Sequence, residues 1–184
     1  MKKKETILDV LKDIRNILRE RAVDAINVES IDESKYLKIT FPEKTAKEIV
    51  DECNNKLGSG KLLYNTSWYE KEAFYTTEKT RPGTRYVSKE LVHLGKSWNE
   101  CIDLEKPGEQ MMNFAETIFF IQEYFKQTGT YPWNRNYSWT SSRSSDGRLV
   151  GVGRCVSGGV SVVFIGPRRS SGDLGVCFSR SGTL

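Results

Sequence analysis

The tail of the chain, from Trp139 to Leu184, constrains the fold most strongly. Small apolar residues recur there at two-residue spacing, and this spacing predicts β-strands with one buried face. The residues between them share no chemical type. A fixed apolar scaffold that carries arbitrary exposed side chains is what an adaptable binding surface needs. The recurring apolar residues are Leu149, Val150, Val152, Val160, Val162 and Phe178.

The tail also lacks five residue types. From Thr140 onward it contains no Lys, Glu, Gln, Met or Trp, whereas residues 1–139 contain 16 Lys, 16 Glu, 3 Gln, 3 Met and 4 Trp. At that frequency, roughly 14 such residues would be expected in the tail. A surface rich in Ser and Gly would contain fewer bulky residues, but it would not use Arg six times and Lys never. The gap therefore indicates a genetic cause.

Four short sequences in the tail carry a family resemblance. They are WTSSRSSDG at 139–147, GV at 159–160, LGV at 174–176 and FSRS at 178–181. With them the tail resembles the variable region of the target proteins of diversity-generating retroelements, which are found in small-genome bacteria, archaea and their viruses. In that family a reverse transcriptase copies a template with random substitution at adenines, chiefly in AAC codons. Because an AAC codon randomised at both adenines encodes every residue type except Lys, Glu, Gln, Met and Trp, the resemblance accounts for the gap.

The resemblance implies an α+β fold of the C-type-lectin type, with twisted antiparallel sheets and two helices. It covers roughly the last two-thirds of the chain, so we expect a C-type-lectin-like domain at 61–184 with its variable region at about 139–184. The implied function is that of a hypervariable ligand-binding protein, diversified by a retroelement and not an enzyme. Its partner would be a protein or another surface molecule.

The resemblance also divides the tail into displayed and fixed residues. Cys177 is a weaker candidate for display, because it lies inside the otherwise fixed sequence at 174–181. The expected ligand-binding residues are Arg148, Gly151, Arg154, Cys155, Val156, Gly158, Ser161, Val163, Phe164, Ile165, Gly166, Arg168, Arg169, Ser171, Gly172 and Asp173. The expected fixed residues are Trp139, Leu149, Val150, Val152, Val160, Val162, Leu174, Val176 and Phe178.

Residues 1–60 match no family motif and predict a small N-terminal α/β appendage. An apolar stripe predicts a helix at 6–20, which either packs within the protein or pairs with another chain as a short coiled coil. Residues 37–41 alternate as a strand. A second helix is predicted at 45–57, because its first residues form a capping box. The glycines of 58–60 mark a linker after it.

The sequence between the appendage and the tail predicts further strands and helices. Aromatic residues crowd 62–75, where strand hairpins that collect them for packing are favoured over a stacking platform for nucleic acid. A strand is expected at 85–88 and a short helix at about 97–104. The strongest predicted helix spans about 110–127, with a wide apolar stripe that would pack beneath the sheet of the tail.

The charge of the chain is concentrated in the tail and leaves nucleic acid as an alternative partner. The net charge is +4, but residues 1–139 contain 22 basic and 22 acidic residues. The whole excess comes from six arginines in the tail, opposed by Asp146 and Asp173. A basic nucleic-acid-binding module is therefore the alternative function. Neutralising several phosphates usually takes Lys and Arg together in one groove, which disfavours it.

The sequence offers little to hold a cofactor, a metal or a catalytic centre. Its four cysteines form no CxxC pair, and the lone histidine, His93, has no nucleophile near it in sequence. Trp133 and Asn134 match half of the Trp-Asn-Asp calcium motif of animal lectins, but Arg135 stands where the acid belongs. We therefore expect no cofactor, no metal site and no catalytic residue.

The start of the chain resembles a signal peptide only in its lysines at 2–4. Asp9, Lys12 and Asp13 interrupt any apolar core behind them, and no apolar run is long enough to cross a membrane. Few and scattered cysteines suit a reducing compartment. We expect no signal peptide and no membrane span, with a location in the cytoplasm or, by another route, on a virion or cell surface.

Overall fold

The computed structural model describes residues 31–57, 62–156 and 159–181, and its main compact unit spans Asp32–Gly182. The described residues form eight strands and four helices, which confirms the expected α+β class. The strands are β1 (Tyr36–Phe41), β2 (Gly83–Ser88), β3 (Glu109–Met111), β4 (Tyr137–Arg143), β5 (Leu149–Val156), β6 (Gly159–Ile165), β7 (Leu174–Val176) and β8 (Phe178–Ser181). The helices are α1 (Ala46–Leu57), α2 (Ala73–Thr76), α3 (Trp98–Asp103) and α4 (Phe114–Thr128).

The first sheet has the strand order β1-β2-β8-β3 and is antiparallel throughout. β1 pairs with β2 along its whole length. β8, from the tail, lies between β2 and β3, so Arg180 has Tyr86 opposite it on one side and Glu109 on the other. Segments that are far apart in the sequence therefore share this sheet.

The strand and helix at 36–57 belong to the main compact unit. β1 is hydrogen-bonded to β2, and Ile49 and Val50 of α1 lie in the same hydrophobic cluster as residues of α4. The boundary expected near residue 60 therefore does not divide the described chain, because backbone pairing and core packing both cross it. The helix expected at 6–20 and the linker expected at 58–60 lie outside the described residues.

The second sheet is built from the tail and has the strand order β6-β5-β4-β7. Its first three strands are antiparallel neighbours, whereas β7 runs parallel to β4 with Val176 beside Trp139. Single bridges join both edges to the preceding chain, since Leu63 pairs with Val160 of β6 and Val92 pairs with Val176 of β7. The strands predicted from the two-residue spacing are thus confirmed.

Helix α4 packs in the main hydrophobic cluster with β5 and β6 of the second sheet. It begins at Phe114 rather than near residue 110, because the preceding residues form β3 and Asn113 caps the helix. The Asn113 side chain accepts a hydrogen bond from the Glu116 nitrogen, and the Glu116 carboxylate accepts one from the Asn113 nitrogen. Gly129, with φ of 72°, ends the helix. The predicted core helix is therefore confirmed apart from its first turn.

The aromatic segment 62–75 forms turns and the start of α2 instead of the predicted strand hairpin. Apart from the two bonds that form the bridge between Leu63 and Val160, its backbone hydrogen bonds are local, as from the Tyr69 nitrogen to the Thr66 carbonyl. Its aromatic residues still serve packing, because Tyr69 and Phe74 are buried in the main cluster.

The other expected elements are present. The predicted strand at 85–88 is part of β2, and the predicted short helix is α3, with a capping box between Ser97 and Glu100. The capping box of α1 also forms as predicted, between Thr45 and Glu48. Within the described ranges, each helix is too short or too polar to cross a membrane.

Candidate binding surface

Neighbouring residues of the second sheet belong to two different hydrophobic clusters, so the sheet is covered on both faces. Val150 and Val152 lie with α4 in the main cluster, whereas Trp139 and Leu149 lie in a second cluster. All nine residues expected to be fixed are buried, and the most exposed of them, Val162, is only 6% exposed. Their predicted position in the core is therefore confirmed.

The sixteen residues expected to bind the ligand differ in exposure. The side chains of Cys155 and Val156 and the whole of Gly158 lie outside the described part of the chain. Five residues are exposed, namely Arg148, Arg154, Arg168, Arg169 and Gly172. Six are half-buried, namely Ser161, Val163, Phe164, Gly166, Ser171 and Asp173.

Gly151 and Ile165 are buried, and their predicted exposure is wrong. A Cβ atom added at Gly151 would lie 3.0 Å from Cγ2 of Val163 and 3.2 Å from Cδ1 of Ile165. The three positions face the second cluster and pack against one another. The size of the side chain at one of these positions therefore limits the size of the side chains that fit at the other two.

Phe164 points to the opposite side of β6 from Val163 and packs at the edge of the main cluster. Its ring centroid lies 4.6 Å from that of Trp68 and 5.7 Å from that of Phe74. The guanidinium carbon of Arg148 lies 5.1 Å from the same Phe164 centroid. Trp68 lies outside the tail and is 46% exposed. The surface around Phe164 thus includes a residue from the aromatic segment 62–75, for which the sequence predicts only a packing role.

The first two residues of the WTSSRSSDG sequence hold the second sheet to its surroundings. The indole nitrogen of Trp139 donates a hydrogen bond to the Lys96 carbonyl at 3.1 Å. The Thr140 hydroxyl donates to the Val150 carbonyl at 2.7 Å, and both side chains are fully buried. These bonds satisfy polar atoms that burial would otherwise penalise. They give this part of the sequence a structural role.

Ser142, in the same sequence, links the tail to α4. Its hydroxyl oxygen accepts a hydrogen bond from the Phe114 nitrogen at 2.7 Å, and its hydroxyl group donates to the Glu78 carboxylate. Burial raises the pKa of Glu78, although the hydrogen bond from Ser142 acts in the opposite direction. Ser142 therefore satisfies one of the unpaired nitrogens at the helix start and one buried acid.

The tip of the β4–β5 hairpin, at 144–148, is a closed turn. The Ser144 hydroxyl donates to Oδ1 of Asp146 at 2.6 Å, and Gly147 has a left-handed φ of 83°. The Arg148 guanidinium lies 2.6 Å from Oδ2 of Asp146. The hydrogen bonds from Arg148 and Ser144 hold the pKa of Asp146 well below its usual range. Arg148 is therefore exposed but already paired with an acid.

A β-bulge turns Arg154 away from the sheet. The register between β5 and β6 shifts between Gly153 and Val156, and Arg154 has φ of 45°. Its backbone nitrogen donates to the Asn136 carbonyl at 2.8 Å, while its side chain is exposed. Bulges redirect side chains in this way. The backbone, rather than simple strand alternation, thus displays this residue.

Two glycines of the tail lie where another backbone approaches closely. A Cβ atom at Gly153 would lie 2.2 Å from the Asn136 carbonyl oxygen, and one at Gly175 would lie 2.8 Å from the Val92 carbonyl oxygen. Any larger residue would force these segments apart. Gly175 belongs to the LGV sequence, but no sequence motif includes Gly153. Nothing local distinguishes Gly153 from Gly151, because the contact comes from a different strand.

Cys177 is buried, so the prediction that it is a candidate for ligand binding, although a weaker one, is wrong. Its exposed fraction is 0%, and its thiol donates a hydrogen bond to the Ser88 carbonyl at 3.1 Å. Burial raises the pKa of the Cys177 thiol. The residue therefore joins the tail to β2 from inside the core.

A groove of about 610 Å³ lies beside the hairpin tip. Trp68 and Glu72 line it on one side, and Arg143 and Ser145 line it on the other. Glu72 joins the two sides, because its carboxylate accepts hydrogen bonds from the Ser145 nitrogen at 2.8 Å and from the Ser145 hydroxyl at 3.0 Å. An aromatic ring, a cation and a carboxylate in one concave site suit a partner with both apolar and polar groups.

In the part of the chain that the structure describes, no three His, Cys, Asp or Glu side chains are placed to hold a metal ion. His93 packs against Phe178, with 6.1 Å between the ring centroids. Comparison with protein-family models, curated proteins and solved structures found no match to this chain. The family resemblance therefore rests on the residues of the tail alone.

Proposed function

We propose that this protein is a hypervariable ligand-binding protein. A retroelement would diversify its C-terminal region, and the randomised residues would be displayed on a fixed C-type-lectin-like scaffold. The observation that carries the proposal is the absence of Lys, Glu, Gln, Met and Trp from residues 140–184. Those five types are the ones that a randomised AAC codon does not encode, and no rule of packing or solubility removes this set together.

The pattern of burial supports the proposal. Repeated randomisation is compatible with folding only where the changed side chains make few core contacts, since surface substitutions usually change stability by no more than about 0.5 kcal/mol. Eleven of the thirteen candidate residues whose exposure is described are exposed or half-buried. The nine expected fixed residues are buried. A division of this kind is what a diversified protein needs.

The architecture supports a lectin-like scaffold at a coarser level. The described chain has two four-stranded sheets and two helices of more than ten residues, α1 and α4. The expected fold has twisted antiparallel sheets and two helices. Strand β8 returns from the tail to the first sheet, so a diversified surface would be connected at both ends to fixed structure.

The coding DNA provides the test. Sequencing of the DNA beside this gene should find a near-copy of the segment that encodes 139–184, next to a reverse-transcriptase gene. The copy should differ from the gene only where the copy has adenine. The codons that differ should include those of Arg154, Arg168 and Arg169. Absence of such a copy, or differences spread over all four bases, would remove the basis of the proposal.

A further inference from the structure

One wall of the groove beside the hairpin tip comes from the segment 67–73, which precedes the tail in the sequence. Trp68, Glu70, Lys71 and Glu72 of this segment line the groove, and residues of the β4–β5 hairpin line it on the opposite side. Trp, Glu and Lys are three of the five residue types that are absent from the tail. The groove therefore places beside the tail the kinds of side chain that the tail itself does not contain.

Trp68 joins the groove to the candidate ligand-binding residues. Its ring centroid lies 4.6 Å from that of Phe164 and 4.9 Å from that of the buried Tyr69, yet 46% of Trp68 is exposed. The guanidinium carbon of Arg148 lies 5.1 Å from the same Phe164 centroid. The groove and these two candidate residues thus form one continuous surface.

Hydrogen bonds hold the two walls of the groove in place. The Glu72 carboxylate accepts bonds from the nitrogen and the hydroxyl of Ser145, and the Arg143 guanidinium donates to the Gly147 carbonyl at 3.0 Å. The ring of Trp68 packs against its two aromatic neighbours. Side chains that are already ordered lose less conformational entropy when a ligand binds.

We infer that the groove is a constant subsite of the binding surface, and that it binds a loop of a partner protein whose apolar or aromatic side chain packs against Trp68. The inference rests on the proposed ligand-binding function and adds an anchor to it. Tryptophan is among the residues that carry most of the binding energy at protein interfaces. Because Trp68 precedes the tail, diversification of the tail would leave this anchor unchanged.

The composition of the groove favours a protein partner. Its charged residues are two acids, Glu70 and Glu72, and two bases, Lys71 and Arg143, so their formal charges cancel. Nucleic acid would need an excess of positive charge along the groove. Aromatic residues and arginine, by contrast, are enriched at protein interfaces. The volume of about 610 Å³ lies within the range of sites that enclose a ligand group.

The test is selection of a displayed library of random peptides on the purified full chain. The most enriched peptide should contain an apolar or aromatic residue that its binding requires. Trp68→Ala should weaken the binding of this peptide at least about tenfold, measured by fluorescence polarisation of the labelled peptide. The matched control Tyr64→Ala removes a more exposed ring of the same aromatic segment, which does not line the groove, and should bind like the parent.

A second variant fills the groove without removing the ring of Trp68. Ala73 is exposed and lines the groove, so Ala73→Arg adds a long side chain to its wall. This variant should also lose the peptide at least about tenfold, while it melts like the parent. The control Gln127→Arg adds the same side chain at an exposed position of α4 and should keep the binding. If Trp68→Ala does not fold, Ala73→Arg decides the question.

Four outcomes would overturn the inference. They are the absence of any enriched peptide, parent-like peptide binding by either folded groove variant, an equal loss of binding in the two controls, and enriched peptides that bind without an apolar residue. Binding of oligosaccharides on a glycan array that Trp68→Ala loses, with no peptide enriched, would assign the groove to saccharides instead. None of these results bears on the adenine-limited differences in the coding DNA, so the proposed function stands or fails separately.

Discussion

The hydroxyl oxygen of Ser142 lies 2.7 Å from the backbone nitrogen of Phe114 and accepts its hydrogen bond. Ser142 belongs to the tail, and Phe114 is the first residue of the core helix α4. The first nitrogens of a helix have no partner within the helix, so an acceptor from another segment fixes where the helix begins. The tail is therefore part of the structural core as well as the proposed display surface.

Replacing Ser142 by alanine should destabilise the protein. Ser142→Ala would leave the buried Phe114 nitrogen without an acceptor and the Glu78 carboxylate without its donor. We expect a loss of about 1–3 kcal/mol in the free energy of unfolding, measured by urea titration. The control Ser141→Ala changes the exposed neighbour and should lie within about 0.5 kcal/mol of the parent. Equal midpoints for the two variants would show that the hydrogen bonds of Ser142 do not contribute.

A buried ion pair joins α4 to the first sheet. Nη2 of Arg85 lies 2.7 Å from Oε1 of Glu116, and both side chains are buried. Burial tends to raise the pKa of Glu116, but the hydrogen bonds from Arg81 and Arg85 outweigh it, so this pKa lies below its ordinary value of 4.5. Arg81 also pairs with the Glu116 carboxylate, but its side chain is 39% exposed and therefore in part screened by solvent.

Removing the charge of Glu116 should destabilise the folded protein at neutral pH. Glu116→Gln leaves Arg85 buried without its anion, and we expect a loss of about 3–5 kcal/mol. Because the pKa of Glu116 is lower in the folded protein, its charge contributes fully to stability only above pH 4.5. The difference in the free energy of unfolding between the parent and Glu116→Gln should therefore narrow as the pH falls below that value. Urea titrations of both proteins at several pH values measure this difference, with Glu123→Gln, at a half-buried position of α4, as the control. A gap that stays constant through this range would contradict the assignment.

The sequence alone predicts those parts of the fold that depend on nearby residues. Val150 and Val152 alternate with Leu149 and Gly151, and this period depends only on strand geometry, so β5 could be predicted. The capping box at Thr45 and Glu48 is likewise local and forms as expected. The burial of the nine fixed residues follows from the same patterns.

Features that depend on distant segments could not be predicted. The arrangement of β8 between β2 and β3 joins residues about 70 to 100 positions apart, and no local pattern specifies such pairing. Ile165 follows the alternation of an exposed position, yet the second cluster covers it. Gly153 differs from Gly151 through its φ of 157° and its close approach to the backbone of Asn136 and Tyr137, neither of which its neighbours in the sequence indicate. Eleven of the thirteen candidate positions whose exposure is described are thus exposed or half-buried, while the burial of Gly151 and Ile165 depends on contacts that the sequence does not reveal.

Glycines of the tail that lie against another backbone segment should respond differently to substitution from glycines that have open space around them. Gly153→Ala places a methyl group 2.2 Å from the Asn136 carbonyl oxygen, which is backbone and has little freedom to move. We expect a loss of at least about 1–3 kcal/mol, as for other overpacked sites. A Cβ atom at Gly166 meets nothing within 4 Å, so Gly166→Ala should melt like the parent. If both variants melt alike, the close approach at Gly153 does not restrict which residues that position accepts.

The described cysteines should be unreactive in the folded protein. Cys53, Cys101 and Cys177 are buried, and none of the three forms a disulfide. Burial, with a smaller effect from Glu100, raises the pKa of Cys101 to about 11, and burial raises that of Cys177 as well. Only thiolates react with disulfide reagents, so little reaction is expected near neutral pH.

The variant Cys155→Ser isolates these three thiols for measurement. It should show almost no reaction with an aromatic disulfide reagent when folded and three reactive thiols after unfolding in denaturant. Rapid reaction of one or more thiols in the folded variant would contradict the burial of these residues. Fewer than three after unfolding in denaturant without a reductant would contradict the absence of a disulfide among these cysteines.

We expect the tail to combine a fixed core with surface residues that can be exchanged, and thermal melts of two sets of variants, run side by side, distinguish the two kinds of position. One variant exchanges Arg148, Arg154, Ser161, Arg168 and Arg169 together for other residues that AAC randomisation allows. This exchange leaves unchanged the positions of β6 that are buried or that pack against other side chains. Since these side chains make few core contacts, the melting temperature should change by only a few degrees.

The comparison variants are Trp139→Ala and Phe178→Ala, which empty buried sites of 0% and 3% exposure. Each should lose about 3–5 kcal/mol, a large part of the stability of a domain of this size, and should melt far lower or fail to fold. The account predicts a parent-like melt for the surface exchange and a severe loss for both alanine variants. An unfolded surface exchange together with parent-like melts for the alanine variants would contradict it.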